Sequence, residues 1–202
     1  LGGVALNSTA VYVATSDATL VALSRKKGEV LFEVTLPGNS IVPAVATDTM
    51  VFVKTQIGQL IALNAVSGET VWFEEAKESN VGIRGGAPIS LSDDVLFVLW
   101  ESGRIMAYQA QTGRILWERQ VAVSRGRSPL DRIVDSKGAP SVRNGFIATA
   151  TRNGQVSLLS ARDGQLIWSF DSDAYPGALL AFNAVTVVET DGTISAFSAQ
   201  SG

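Results

Sequence analysis

The chain has 202 residues, of which 46% are hydrophobic and 17% charged, and its formal net charge is −3. This composition allows a large buried core, and the small negative charge provides no basic field that would attract nucleic acid. The sequence contains neither cysteine nor histidine. Disulfides and thiolate chemistry are therefore excluded within these residues, as are the commonest metal ligand and the commonest general base.

A short pattern recurs along the chain: a turn, an apolar segment, a glycine and, four residues after that glycine, an aromatic residue. The aromatic residues of the first four copies are Phe32, Trp72, Trp117 and Trp168, and the fifth copy stops at Gly202. A period of roughly 40 to 50 residues built from short strands is typical of a β-propeller, in which each repeat forms one blade.

Alternating side chains and turn residues predict four antiparallel strands, A to D from the axis outward, in each blade. In the second repeat we expect strand A at 42–45, strand B at 50–54, strand C at 60–63 and strand D at 70–73. The pairs Asp93-Asp94 and Asn144-Gly145 tolerate positive φ and predict tight turns between strands A and B.

The repeats predict four complete blades near residues 1–36, 37–76, 77–121 and 122–172, followed by an incomplete blade at 173–202. Because the last repeat lacks strand D, we expect an arc of a larger ring of about eight blades. The chain begins without a basic leader and ends inside a repeat, so we also expect it to be an internal piece of a longer protein.

The recurring tryptophans admit two interpretations. Their rings could stack on a planar cofactor or a sugar, or they could pack between neighbouring blades and cover apolar area that a lone blade exposes. Recurrence at the same place in every repeat favours packing, since a single binding site would need only one of them.

Two connections between strand D of one repeat and strand A of the next are longer than the others, from Glu74 to Gly86 and from Gln120 to Gly138. Alternating strand directions place both on one face of the disc, where we expect them to meet in one surface patch. Its candidate residues are Val81, Ile83, Arg84, Asp131, Arg132 and Asp135. An apolar centre with an arginine and a charged rim is typical of a protein-binding site.

Other roles for these residues remain open at the level of sequence. Arg84 could hold its own loop by bonding carbonyl groups, Asp131 or Asp135, and the two aspartates could form a metal or acid–base site. The segment Asp171-Ser-Asp173 begins like a calcium loop but lacks the later ligands, which favours a turn.

Two segments carry a family resemblance. The segment Ile83-Arg84-Gly85-Gly86-Ala87-Pro88 and the segment Asp131-Arg132-Ile133 resemble, in order and spacing, the loops of the BamB family of PQQ-type propellers. The repeat pattern extends the resemblance over essentially the whole chain.

The resemblance implies an eight-bladed propeller at the periplasmic face of the bacterial outer membrane, held by a lipid anchor outside these residues. It implies a non-catalytic subunit of the β-barrel assembly (BAM) complex that binds a POTRA domain of BamA, joins other BAM subunits and assists nascent outer-membrane proteins, with no cofactor. The BamA-binding residues that it implies are Val81, Ile83, Arg84 and Asp135. Lys137 stands where the family has an acidic residue, which reverses the charge at the edge of the patch.

Two alternatives belong to other functional classes. A PQQ-dependent dehydrogenase-like propeller fragment would need cofactor-binding residues, a calcium cluster and an acid–base carboxylate near the axis, which the sequence does not assemble. A scaffold that binds nascent barrel strands would use an exposed strand edge.

Overall fold

The computed structural model describes residues 3–76, 86–122, 137–151, 154–174 and 176–202. Within these ranges the regular elements are nineteen β-strands. None of the described residues belongs to a helix that is long and apolar enough to cross a membrane.

The strands form five sheets, numbered here in chain order. Sheet 1 contains β1 (Val4–Leu6), β2 (Ala10–Ala14), β3 (Thr19–Ser24) and β4 (Val30–Thr35). Sheet 2 contains β5 (Val45–Ala46), β6 (Met50–Lys54), β7 (Gln59–Asn64) and β8 (Thr70–Glu75). Sheet 3 contains β9 (Ser90–Ser92), β10 (Val95–Leu99), β11 (Arg104–Gln109) and β12 (Ile115–Gln120). Sheet 4 contains β13 (Ser141–Arg143), β14 (Phe146–Ala150), β15 (Gly154–Ser160) and β16 (Leu166–Ser172). Sheet 5 contains β17 (Ala178–Ala181), β18 (Ala184–Val188) and β19 (Ile194–Ser198).

Every sheet pairs its strands in chain order, and the described pairings are antiparallel. The predicted all-β fold of four-stranded antiparallel sheets is confirmed. The first strand of the second repeat is placed wrongly by the sequence, because β5 pairs with β6 only at Val45 and Ala46. Pro43 lies upstream of this pairing and has no N–H to donate, and the strand begins three residues later than expected.

The predicted turns between the first two strands of a sheet are confirmed at Asp93-Asp94 and Asn144-Gly145. The four φ angles are 47° and 60° for the first pair and 50° and 78° for the second. Such consecutive positive φ angles match the right-handed twist of the strands that they join. Short polar side chains and glycine adopt them at little cost.

The chain divides into two compact units. The first contains Leu1–Asn80 together with Gln109–Arg114, and the second contains Val81–Tyr108 together with Ile115–Gly202. In the first unit, Tyr12 of sheet 1 is fully buried. Its hydroxyl donates to the carbonyl of Ala65, in the turn after β7, at 2.8 Å and accepts from Asn7 Nδ2 at 2.9 Å. Burial raises the pKa of this hydroxyl, which keeps it neutral.

The second unit has one apolar cluster between sheets 3 and 4 and another between sheets 4 and 5. The first includes Phe97, Ile105, Ile147 and Leu159. Members of the second are Ala148, Leu158, Trp168, Leu180 and Val185. Both faces of sheet 4 are thus covered, which explains why most residues of its middle strands, β14 and β15, are buried on both faces.

The recurring aromatic residue packs on the recurring glycine of the following repeat, an arrangement called here the aromatic–glycine contact. In the first unit, Trp72 Nε1 donates to the Ala110 carbonyl at 2.9 Å, and a Cβ on Gly113 would lie 2.7 Å from the Trp72 ring. In the second unit, Trp117 Nε1 donates to the Ala161 carbonyl at 3.1 Å. The interpretation of the tryptophans as packing residues is confirmed at these positions.

Trp168 departs from this arrangement. Its side chain is buried, but Nε1 has no hydrogen-bond partner among the described residues. Facing strands explain the difference: Trp117 packs against Phe97 with ring centroids 6.0 Å apart, whereas sheet 4 has Ala148 at the position of Phe97. Trp168 lies opposite Leu158 on the neighbouring strand, and its ring packs on the rings of Phe170 and Phe197, with centroids 5.5 and 5.8 Å away.

Replacing Gly164 with alanine should destabilise the protein more than the same change at Gly145. Both glycines have positive φ, at 68° and 78°, which costs alanine about 1–2 kcal/mol. A Cβ at Gly164 would also lie 2.5 Å from Cε3 of Trp117, whereas a Cβ at Gly145 would meet nothing within 4 Å. Urea denaturation of the two variants measures the difference, and equal losses would contradict the aromatic–glycine contact.

Trp117→Phe should cost more stability than Trp168→Phe, although both remove an indole from the same repeat position. Only Trp117 loses a hydrogen bond, which is worth about 0.5–1.5 kcal/mol and leaves the Ala161 carbonyl without its donor. Trp168→Phe removes a buried donor for which the described part of the chain offers no acceptor. Denaturant midpoints of the two variants test this order, and a larger loss for Trp168→Phe would refute it.

Candidate functional site

Most of the predicted patch lies outside the described residues. This holds for Val81, Ile83 and Arg84 of the first long connection and for Asp131, Arg132 and Asp135 of the second. Lys137 is described and exposed. The structure does describe both sides of the second connection and the residues that follow the first.

Both long connections are attached to the same end of sheet 3. Gly86 and Ala87 are buried just before β9, and Val121 and Ala122 are buried just after β12. Because the four strands alternate in direction, the start of β9 and the end of β12 lie at one end of the sheet. The two attachment points belong to its two outer strands, which are three strand spacings, or about 14 Å, apart.

The second connection begins at a fixed point on the turn between β10 and β11. The N–H groups of Val121 and Ala122 both donate to the Gly103 carbonyl, at 2.9 and 3.1 Å. Gln120 Nε2 donates to the Ser102 carbonyl at 2.8 Å and to the Ala122 carbonyl at 2.5 Å. In sheet 2, Ala76 N–H likewise donates to the Gly58 carbonyl at 2.8 Å where the first connection begins.

The far end of the second connection is also fixed. Gly138, next to Lys137, lies so close to the backbone of Pro176 and Gly177 that a Cβ would collide with it. This contact ties the residues before β13 to those before β17. The second connection therefore leaves and re-enters the second unit at defined points.

A cleft of about 660 Å³ opens at this end of sheets 4 and 5, beside Gln120–Ala122. Four carboxylate residues line it: Asp171, Asp173, Glu189 and Asp191. The described residues of the lining include no cationic side chain, so they present negative charge next to the start of the second connection.

Hydrogen bonds within the protein hold these carboxylates in place. Glu189 accepts from Ser172 Oγ at 3.1 Å and from the Asp173 N–H at 2.8 Å. Thr190 Oγ1 donates to Asp173 at 2.6 Å. The Thr193 N–H donates to Asp191 at 2.8 Å, and this bond holds the pKa of that carboxyl below its usual value.

The prediction of a turn at Asp171-Ser-Asp173 is wrong for its first two residues, which end β16. Asp171 pairs with Gln155 across the sheet, and Gln155 Nε2 donates to its carboxylate at 3.3 Å. The pairing register of β16 overrides the local turn preference of the sequence. Among the residues that the structure describes, no three acidic side chains are grouped so that they could hold a metal ion.

Two residues at this end of the sheets were missed by the sequence analysis, Trp100 and Glu189. Three repeats have Thr15, Thr55 and Thr151 after the second strand, and each hydroxyl bonds the backbone four residues later. At this position sheet 3 has Trp100, which is buried and donates to the Tyr108 hydroxyl at 3.3 Å, and sheet 5 has Glu189. An alignment of the repeats would have marked both departures from threonine.

The chain is similar over its whole length to one protein family. The family model described as "Outer membrane protein assembly factor BamB" matches residues 1–202. The BamB of Moranella endobia is 27% identical over 201 residues, which are 100% of this chain and 52% of that protein. The chain thus spans about half the length of this curated relative.

Solved structures give the same result for the fold. The crystal structure of BamB from Moraxella catarrhalis matches with a TM-score of 0.92 and 27% identity, covering 100% of this chain and 62% of that one. A europium-containing methanol dehydrogenase matches with a TM-score of 0.77 and 15% identity, covering 100% of this chain and 50% of that one, a likeness of fold alone. The predicted β-propeller architecture is confirmed by these similarities. The chain belongs to the BamB family of outer membrane protein assembly factors and is a protein of the periplasmic face of the outer membrane.

Proposed function

We propose that the chain is a non-catalytic scaffold of the BAM complex, which binds a POTRA domain of BamA through its two long connections. In this role it assists the folding and insertion of outer-membrane proteins. The observation that carries the proposal is the attachment of both connections to one end of sheet 3, in a chain that belongs to the BamB family.

The attachment geometry supports a joint docking surface. Buried residues on either side, Ala87 and Val121, fix where the connections join the sheet. A separation of about 14 Å between the two outer strands is well within the width of a protein–protein interface of about 800 Å² per partner. One partner surface can therefore reach residues from both connections.

The first connection supplies the centre of the proposed interface. Val81 and Ile83 fill a shallow apolar recess of the partner, while Arg84 makes a charge-assisted contact with a partner carboxylate or carbonyl. Arginine is enriched among the few residues that dominate the binding energy of an interface, because its guanidinium offers several donors in a fixed plane.

The second connection supplies the charged rim. Asp131 and Asp135 attract cationic groups of the partner, and Arg132 balances their charge within the protein. The acidic cleft beside Gln120 extends the same negative field along this end of sheets 4 and 5. Lys137 is exposed at the edge of the patch, and its positive charge stands where the family has an acidic residue. We therefore infer that the partner differs there from partners of other family members or makes no contact at this position.

The proposal of a scaffold without catalysis is supported by the relatives, which are named as assembly factors. The likeness to methanol dehydrogenase rests on 15% identity and concerns the fold alone. The sequence has no histidine or cysteine that could act as a base or nucleophile. Binding, rather than turnover, is therefore the activity that these residues support.

Arg84→Glu should weaken the association of the full-length protein with the periplasmic domains of BamA by roughly 2 kcal/mol or more, as expected for a central interface arginine. Isothermal titration calorimetry gives the affinity, and circular dichroism establishes that the variant is folded.

The matched control is Arg114→Glu, because Arg114 is an exposed arginine at the turn between β11 and β12, at the other end of sheet 3. Its affinity for BamA should equal that of the unmodified protein. An unchanged affinity for Arg84→Glu, or equal losses for both variants, would remove Arg84 from the interface.

A further inference from the structure

A second cavity, of about 360 Å³, lies at the opposite end of sheets 4 and 5, among the turns that join β13 to β14 and β17 to β18. Its apolar walls come from Phe146, Ile167 and Leu180, with Ala199 at one side. The volume falls in the lower part of the range for ligand pockets, roughly 300–1,000 Å³. It has room for one large apolar side chain and the backbone that bears it.

The cavity lies where the aromatic–glycine contact departs from the pattern of the other repeats. Between sheets 3 and 4, Trp117 Nε1 bonds the Ala161 carbonyl. Ala199 occupies the place of Ala161 in the next repeat, but Trp168 Nε1 makes no bond to it, and Ala199 lines the cavity instead. In sheet 4 the small residue Ala148 stands where sheet 3 has Phe97, and the large residue Leu158 lies between Ala148 and Trp168. The cavity between sheets 4 and 5 accompanies this change in residue size.

One positive charge lies at the rim. Arg143 lines the cavity and is exposed. In the part of the chain that the structure describes, its guanidinium makes no hydrogen bond or ion pair. The amide side chains of Asn144, Asn183 and Gln200 add to the polar rim, and the described residues of the lining include no carboxylate. Guanidinium and amide N–H groups around an apolar pocket are suited to a carboxylate that is attached directly to an apolar group.

The neighbouring turn presents a further apolar surface. Phe182 is 94% exposed and has a φ of 49°. Asp93 and Asn144 occupy the same turn position in sheets 3 and 4, where a short polar side chain tolerates this backbone conformation. A bulky aromatic residue does not favour it, and full exposure adds a second unfavourable feature. Phe182 is next to Asn183 of the polar rim, so it widens the apolar surface beside the cavity.

We propose that this cavity binds the C-terminal residue of an extended polypeptide that ends in an apolar side chain. The side chain enters between Phe146, Ile167 and Leu180, and the α-carboxylate accepts hydrogen bonds from Arg143 and the amides of the rim. In a C-terminal residue both groups are attached to one Cα, which suits a cavity of about 360 Å³ that has both apolar residues and Arg143 in its lining. The site is separate from the proposed BamA interface, because it lies at the other end of the sheets.

Fluorescence anisotropy with the full-length protein and three labelled hexapeptides tests the proposal. One peptide is Gly-Ser-Gly-Ser-Gly-Phe with a free carboxylate, the second is its C-terminal amide, and the third ends in serine with a free carboxylate. The first should bind, and amidation should weaken binding about tenfold or more, because bonds to a charged group are lost. The serine peptide should bind at least as weakly as the amide, since the apolar walls lose their contact.

Arg143→Gln should remove the preference for the free carboxylate, while the matched change Arg162→Gln should preserve it. Arg162 is exposed at the same end of sheet 4 but does not line the cavity. Neither variant should alter the affinity for BamA, which separates this site from the proposed interface. Equal binding of the acid and the amide, no binding of any peptide at millimolar concentration, or an unchanged preference in Arg143→Gln would overturn the proposal.

Discussion

The aromatic–glycine contact is the interaction on which the rest of the structure depends. A single antiparallel sheet of short strands exposes two apolar faces and is not stable alone, so each sheet must be joined to the next. Trp117 does this in the second unit by covering Gly164 and by donating to the Ala161 carbonyl. A side chain at the glycine would prevent the approach, which explains why the two residues recur together.

The fold combines sheets that are fixed against each other with long connections between some of them. This combination explains how a repetitive fold can acquire a specific function. The contacts between sheets are made by strands and short turns, and they recur with small changes. The long connections add residues without altering those contacts, because their attachment points are already fixed, as at Val121 on Gly103. Departures from the repeat, such as Trp100 and Glu189, lie at the same end of the sheets as these connections.

The sequence predicts much of the fold because turn residues and alternation act locally. Asp93-Asp94 specifies its turn from backbone preferences alone, whereas the start of β5 depends on where its partner strand offers hydrogen bonds. Trp168 Nε1, which has no partner in the part of the chain that the structure describes, depends on Ala148 and Leu158, whose effect appears only once the strand register is known. For the candidate site, the sequence predicts the patch residues, but the acidic cleft joins side chains from separate sheets and needs the structure.

Site-specific photo-crosslinking in cells tests the central claim, that the two long connections form one docking surface, most directly. A photoreactive residue is placed at Ile83, at Asp135 or, as a control at the other end of sheet 3, at Arg114 in the full-length protein. If the two connections form one docking surface, Ile83 and Asp135 both crosslink to BamA and Arg114 does not. Crosslinking from only one connection, or from Arg114 with equal yield, would contradict it.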